Sequence, residues 1–196
     1  MWLYKIKTVK TKKKRDSLAD NLKNNTVETK NTEFILQLGY DFQSRYLHKG
    51  EDEKSVSPKG ITFSAKYYHY FIDELGIGIG ANLQSSRELD TLPGRVYFVP
   101  AYLSLKLRSI PTEPYKYGYV CANVGYNLFF PNSKYTAHID NEKGGLFYSI
   151  GLGFVYKHIL MELAVSIHNA KANLKTTNYD IDIEYKTYTL SMGYVF

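Results

Sequence analysis

Eight segments of the chain alternate apolar or aromatic residues with small or polar ones. The last, residues 188–196, shows the pattern most clearly, and its apolar row is Tyr188, Leu190, Met192, Tyr194 and Phe196. Because successive side chains of a β-strand point to opposite faces, each segment predicts a strand with one wholly apolar face. One such strand is weak evidence, but eight in one chain restrict the fold to a sheet with a continuous apolar surface.

The seven earlier segments repeat this alternation. Their apolar rows begin at Phe34, Ile61, Ile77, Val99, Val120, Leu146 and Ile159, and none of these rows contains a charged residue. The opposite rows hold Gly, Ser, Thr and Asn, whereas a water-soluble barrel would coat its outside with Lys and Glu. The sequence therefore predicts an all-β protein, an eight-stranded antiparallel up-and-down transmembrane β-barrel. A soluble β-barrel or sandwich is the alternative.

Long and short connections alternate along the chain. The long ones, 43–60, 84–95, 129–145 and 169–182, are rich in charge and turn formers, and the short ones are 72–75, 109–115 and 157–158. Outer-membrane barrels have short periplasmic turns and longer outer loops. We therefore expect both termini at the short-turn end and the long loops outside. The aromatic residues expected to anchor contacts in these loops are Tyr46, Phe129, Phe130, Tyr135 and Tyr179.

A few charged residues occur on the polar rows that would face the interior. They are Asp41, Lys66, Lys106, Arg108 and Glu162. Because an unpaired buried charge is costly, we expect these side chains to pair across the lumen, the space enclosed by the barrel. Cys121, the single cysteine of the chain, has the same inward parity, so we expect a packed and inert thiol.

The first 31 residues differ from the rest of the chain. They contain nine Lys and Arg and three Asp and Glu. Their net charge of +6 equals the net charge of the whole chain. We therefore divide the chain into a basic segment, 1–31, expected to be disordered or partly helical, and a barrel, 32–196. Nucleic-acid binding by the barrel has no support, whereas contact of the basic segment with anionic lipid stays open. No apolar stretch of about 7–15 residues before a cleavage site is visible in this sequence, so the expected export signal is not apparent.

These patterns resemble the small outer-membrane β-barrel proteins of Gram-negative bacteria, such as the OmpX, OmpW and OmpA-barrel groups. The resemblance covers residues 32–196 and depends on the eight rows and on segments 75–84, 98–103, 151–154 and 193–196. It implies a place in the cell outer membrane. It also implies that the barrel-assembly machinery reads the closing aromatic strand, with Met192, Tyr194 and Phe196 as the assembly signal.

Three functions are compatible with such a barrel. The first is a non-enzymatic structural, adhesion or recognition role through the outer loops, because an eight-stranded lumen is narrow enough for side chains to fill. The second is a narrow pore or small-ligand carrier. The third is a lipid A-modifying hydrolase that uses Ser166, His168 and Glu162, which share one strand face. Residues two apart on a strand are about 6.5–7 Å apart at the backbone, which disfavours catalysis.

We expect no enzyme activity, no cofactor and no metal, since the five His residues have no metal-ligand spacing. The expected partners are outer-membrane lipid, the barrel-assembly machinery and an extracellular ligand or surface partner, with no nucleic acid.

Overall fold

The alternating segments form the strands of a single sheet in the computed structural model, which describes residues 31–48, 54–55, 60–89, 92–111, 113, 115–131, 139–174 and 179–196. The predicted basic segment lies outside the described residues, except for Asn31. The strands are β1 (Thr32–His48), β2 (Lys54–Ser55), β3 (Gly60–Tyr70), β4 (Leu75–Gln84), β5 (Arg87–Leu89), β6 (Leu92–Arg108), β7 (Lys116–Pro131), β8 (Ile139–Tyr156), β9 (Ile159–Leu174) and β10 (Tyr179–Val195). Among the described residues, no helix has the length and hydropathy needed to cross a membrane.

The eight long strands form a closed antiparallel barrel. Each pairs with the next long strand along the chain, and β10 pairs with β1 from Ile35 opposite Val195 to His48 opposite Ile183. The backbone N–H of Phe196 also donates to the carbonyl of Phe34 at 2.9 Å. Closure pairs the first long strand with the last, as a hydrocarbon environment requires of a spanning sheet. The predicted fold class is confirmed.

The two faces of the sheet are separated as the alternation predicts. Apolar side chains cover the outside, and Leu38, Leu103 and Leu152 are each 60–62% exposed. Polar and charged side chains point inward, and Lys106 and Asp41 have no exposed surface. Such an inverted distribution is stable only where the outer surface lies in lipid. The outside is therefore a hydrocarbon-facing belt.

Three short turns lie at one end of the barrel, which we call the short-turn end. They span 71–74, 109–115 and 157–158. Lys157 and His158 form the tightest connection, and both have positive φ angles, 48° and 72°. Two such residues are what a type I′ hairpin turn requires, because its twist matches that of the flanking strands. Both ends of the barrel chain, Thr32 and Val195, also lie at the short-turn end.

The strands at the opposite, outer end are longer than the sequence predicts. The ranges 43–48, 129–131, 139–145, 169–174 and 179–182 were predicted as loops but continue β1, β7, β8, β9 and β10. Short strands β2 and β5 also pair within predicted loops. Backbone hydrogen bonds between strands do not depend on side-chain polarity. A charged extension of a strand is therefore predicted as a loop from its sequence although its strand pairing continues. The outer connections are therefore shorter than expected.

This extension changes the position of the predicted loop aromatics. Tyr46 belongs to β1 and Tyr179 to β10, while Tyr135 lies outside the described residues. The prediction for Phe129 was wrong: this residue belongs to β7 and not to a loop. Its side chain is buried in the lumen, because it has the parity of the inward row. Phe130, one residue further, points outward and is exposed.

Candidate functional site

The lumen at the short-turn end is filled by a group that we call the Glu33 cluster: Glu33, Lys106, Arg108, Tyr70 and Tyr117. The Glu33 carboxylate accepts a hydrogen bond from Lys106 Nζ at 2.8 Å and another from Arg108 Nη1 at 2.8 Å. The hydroxyls of Tyr70 and Tyr117 donate to the same carboxylate at 2.8 and 2.6 Å. One carboxylate thus binds two cations and two phenols, and all five side chains are buried.

Aromatic rings complete the surroundings of these cations. The Arg108 guanidinium lies 3.6 Å from the centroid of the Tyr70 ring, and Lys106 Nζ lies 4.4 Å from that of Tyr119 and 4.9 Å from that of Tyr68. Ring faces attract cations, most strongly where water is excluded. The cluster is a plug of polar and aromatic side chains in which two cations share one carboxylate.

A second buried ion pair lies further along the lumen. Lys66 Nζ binds both carboxylate oxygens of Glu162, at 2.8 and 2.9 Å. The Tyr119 hydroxyl donates to Glu162 at 2.8 Å, and the Cys121 thiol lies 3.7 Å from it. Lys66 and Glu162 are 96 residues apart in the chain, so only the closed barrel brings them together.

Inward-facing glycines make room for the tyrosines of the lumen. A Cβ at Gly80 would lie 2.5 Å from the Tyr102 ring, and a Cβ at Gly153 would lie 2.5 Å from Tyr119. No real Cβ approaches a ring that closely, so these positions accept only glycine while the rings stay in place. The small residues of the inner rows therefore hold large phenols instead of leaving a channel.

A polar region follows toward the outer end. Asp41 accepts hydrogen bonds from the hydroxyls of Thr62, at 2.9 Å, and Thr189. Next to it lies a cavity of about 20 Å³ whose lining includes Thr62, Thr189, Gln84 and Asn123. A cavity of this size has room for about one water molecule, not for a continuous water column.

An aromatic layer closes the lumen on the outer-end side of this polar region. Phe98, Phe147, Tyr185 and His168 each have at most 1% of their surface exposed. Phe98 stacks on Tyr185 with ring centroids 5.5 Å apart, and Phe147 lies 5.0 Å from His168. His168 also contacts Gln84 Nε2 at 3.1 Å and Asn127 Oδ1 at 3.4 Å. The described lumen is thus closed at both of its ends by packed side chains.

The three residues of the hydrolase hypothesis have other surroundings. Glu162 binds Lys66 and Tyr119, whereas His168 lies in the aromatic layer against Gln84 and Asn127. Ser166 lines the polar cavity. A hydrolase needs its base positioned between a nucleophile and an orienting acid, whereas His168 contacts the side-chain amides of Gln84 and Asn127. Among the described residues, no group of three or more His, Cys, Asp or Glu is arranged to hold a metal ion.

All five charged residues predicted to face the lumen do so. The sequence interpretation missed Glu33, the partner of Lys106 and Arg108. Its parity is that of Asp41 on the same strand, and this signal was sufficient to place it inside. The tyrosines that bind the carboxylates were also missed, although Tyr70 has the parity of the inward Lys66, and Tyr117 and Tyr119 have that of Cys121.

The barrel wall is interrupted between β4 and β6. Their pairing runs from Leu75 opposite Leu107 to Ala81 opposite Ala101, and stops there. The next residue of β6 is Pro100, which has no N–H to donate to a ladder. Pairing resumes only where Arg87 of β5 meets Val96.

A groove of about 590 Å³ lies on the lipid-facing surface of the barrel, next to Ala81 and Ala101, where the β4–β6 pairing ends. Ala65, Ala81 and Ala101 lie in register across β3, β4 and β6, and Gly80 and Gly125 adjoin them. Five small residues in neighbouring positions leave the wall thin, so the lining includes the inward Lys66 and Tyr102. The apolar belt is concave at this place.

The three residues of the expected assembly signal lie on the outer surface. Met192, Tyr194 and Phe196 are 42–58% exposed, on the strand that closes the barrel. Tyr194 and Phe196 contact each other edge to face with centroids 4.8 Å apart, and Phe196 lies 5.8 Å from Phe34 of β1. The final aromatic residues thus cover the β1–β10 junction from the lipid side.

A closed eight-stranded barrel with an apolar outside and a packed polar inside is the fold of outer-membrane β-barrel proteins. Solved structures share it. Neisserial surface protein A has 9% sequence identity and a TM-score of 0.54, with 84% of this chain and 97% of that chain covered. AlkL in lipid bilayers has 14% identity and a TM-score of 0.52, with 87% and 93% covered.

These structural neighbours are outer-membrane proteins, and the likeness is one of fold. No family model matches the chain, and no curated protein sequence does either.

Proposed function

We propose that the chain is a non-enzymatic outer-membrane protein with a structural, adhesion or recognition role at its outer end. The observation that supports this most directly is the filled lumen. The Glu33 cluster, the Lys66–Glu162 pair and the aromatic layer around Phe98 occupy it in succession. Because no solute can pass such a sequence of packed groups without their rearrangement, the function belongs to surfaces outside the lumen.

The proposed partners bind the surfaces outside the lumen. Outer-membrane lipid covers the apolar belt, and the barrel-assembly machinery binds the strand that ends in Met192, Tyr194 and Phe196. The outer connections, which include residues 49–53, 132–138 and 175–178, bind the extracellular ligand or surface partner. These connections lie outside the described residues.

Two measurements test this function together. In planar lipid bilayers the purified protein should give no stepwise current. Bacteria that display it should adhere to epithelial cell monolayers, and replacing 132–138 and 175–178 with Gly-Ser linkers should reduce adhesion to the level of cells without the protein. The control variant Glu113→Gln/Lys116→Gln changes exposed charges at the short-turn end and should adhere normally. Ion conduction by the wild type, or unchanged adhesion of the linker variant, would contradict the proposal.

A carrier of small apolar molecules through the side wall is the second candidate. The interrupted β4–β6 pairing and the adjacent groove favour it, because an apolar solute needs a route between lipid and lumen, not a water-filled pore. Leu83 and Val99 face each other across the interruption if the register of Ala81 and Ala101 continues.

A reversible cross-link tests the carrier. In a Cys121→Ser background, Leu83→Cys/Val99→Cys should bridge the interruption when oxidised. If the wall carries solute, uptake of the apolar dye N-phenyl-1-naphthylamine should then fall to the level of cells without the protein and return on reduction. The matched pair Ile77→Cys/Leu105→Cys lies in the intact ladder and should leave uptake unchanged. Equal uptake by oxidised and reduced forms of the first pair excludes this candidate.

A further inference from the structure

The polar cavity of the lumen is bordered by two buried amide oxygens without a partner. Gln84 Oε1 and Asn123 Oδ1 have no hydrogen bond to any protein group, and the two residues are only 7% and 8% exposed. Both line the same cavity of about 20 Å³. A buried acceptor without a donor is destabilising, so two of them around one small cavity require an explanation.

Reversing either amide does not remove the problem. Gln84 Nε2 contacts His168 Nε2 at 3.1 Å, and Asn123 Nδ2 donates to Ser149 Oγ at 2.6 Å. If an amide is rotated by half a turn, its oxygen takes that contact and its nitrogen loses its partner instead. Each residue therefore keeps one unsatisfied polar atom in either orientation.

We propose that this cavity is a binding site for one structural water molecule that bridges Gln84 and Asn123. Water donates two hydrogen bonds and accepts two, so it satisfies the amides in either orientation. The hydroxyls of Ser64 and Ser166 on the cavity wall provide further partners. The volume equals that of about one water. A metal cation fits less well, because the one carboxylate on the cavity wall, Glu162, has both oxygens bound by the Lys66 ammonium.

The bridge has a mechanical role that goes beyond the proposed function. Gln84 is the last residue of β4, on the stretch that has no ladder partner in β6. Asn123 belongs to β7, which pairs with β6 along its length. A water between them ties β4 to the far side of the interruption from within. It replaces, inside the lumen, part of the strand pairing that is missing in the wall.

Direct detection tests the site in the intact protein. In ¹⁵N-labelled protein in lipid nanodiscs, the side-chain amide protons of Gln84 and Asn123 should show cross-relaxation with a long-lived water molecule. A high-resolution crystal structure should show density for that water between the two amides. An absence of cross-relaxation at both amides, or a direct hydrogen bond between them, would overturn the proposal.

A filling variant tests the mechanical role. Ala164 lines the cavity, so Ala164→Val should displace the water and abolish the cross-relaxation. Backbone amides of 82–84 should then exchange with solvent about fivefold faster, the effect of losing one ordinary hydrogen bond. The control Ala122→Val adds the same methyl groups to an exposed position on the outer face and should change neither quantity. Equal exchange rates in both variants would contradict the bridge. If Ala164→Val does not fold, the wild-type detection decides.

Discussion

Replacing Glu33 with Gln should lower the free energy of unfolding by about 3–5 kcal/mol, the usual effect of removing one partner from a buried ion pair. Glu33 is the only carboxylate that is bonded to Lys106 and Arg108 among the described residues, with both nitrogens 2.8 Å from its oxygens. In the variant, two buried cations lose their counter-charge, and only one of the phenols of Tyr70 and Tyr117 keeps its acceptor, because they donate to different oxygens of Glu33 and Gln retains one oxygen. Urea unfolding in lipid vesicles measures the loss.

An exposed ion pair in the same chain provides the control. Glu113 and Lys116 are also 2.8 Å apart, but their side chains are 61% and 47% exposed. Solvent screens such a pair, so Glu113→Gln should leave the free energy of unfolding almost unchanged. If Glu33→Gln loses no more than this control, the cations of the Glu33 cluster have access to water and the lumen is not a dry plug.

Replacing Lys66 with Met should lower the free energy of unfolding by a similar amount, about 3–5 kcal/mol, because it leaves Glu162 charged and buried. The double variant Lys66→Met/Glu162→Gln should recover most of this loss. It removes both charges together and leaves an acceptor for the Tyr119 hydroxyl, which donates to Glu162 at 2.8 Å. A double-mutant cycle from urea unfolding gives the coupling energy.

The double-mutant cycle distinguishes a direct Lys66–Glu162 ion pair from two charges that are each hydrated. A coupling of several kcal/mol, in which the second change compensates the first, is the result expected for a dry ion pair. If the two changes add independently, Lys66 and Glu162 line water instead of binding each other. The latter result would also weaken the argument that the lumen is closed to solutes.

Alternation was sufficient to predict the barrel because the period of a strand decides the face of every residue. It placed Asp41, Lys66, Lys106, Arg108 and Glu162 inside, as the structure has them. The partners across the lumen could not be predicted in the same way. Which rows approach each other depends on the tilt and stagger of the strands, and a sequence pattern along one strand contains neither.

Strand ends were the other limit of the sequence. The prediction began the first row at Phe34 and so omitted Glu33, one residue earlier. At the outer end, Phe129 was assigned to a loop because charge and turn formers follow it, yet β7 continues to Pro131 and buries it. Polarity marks where lipid ends, whereas backbone pairing extends further. The break between β4 and β6 had one visible sign in the sequence, Pro100 within a strand.

The distance along the chain between charged partners has a consequence for how this barrel forms. Glu33 meets Lys106 from 73 residues away, and Lys66 meets Glu162 from 96. No hairpin contains both members of either pair: Glu33 and Lys106 lie on strands separated by two others, and Lys66 and Glu162 on strands separated by four. Both pairs form across the lumen, so an open sheet that enters hydrocarbon exposes charges without partners until it curls towards closure. Formation of this barrel is therefore expected to be slow and all-or-none, with closure of β10 on β1 and neutralisation of the interior as a single event.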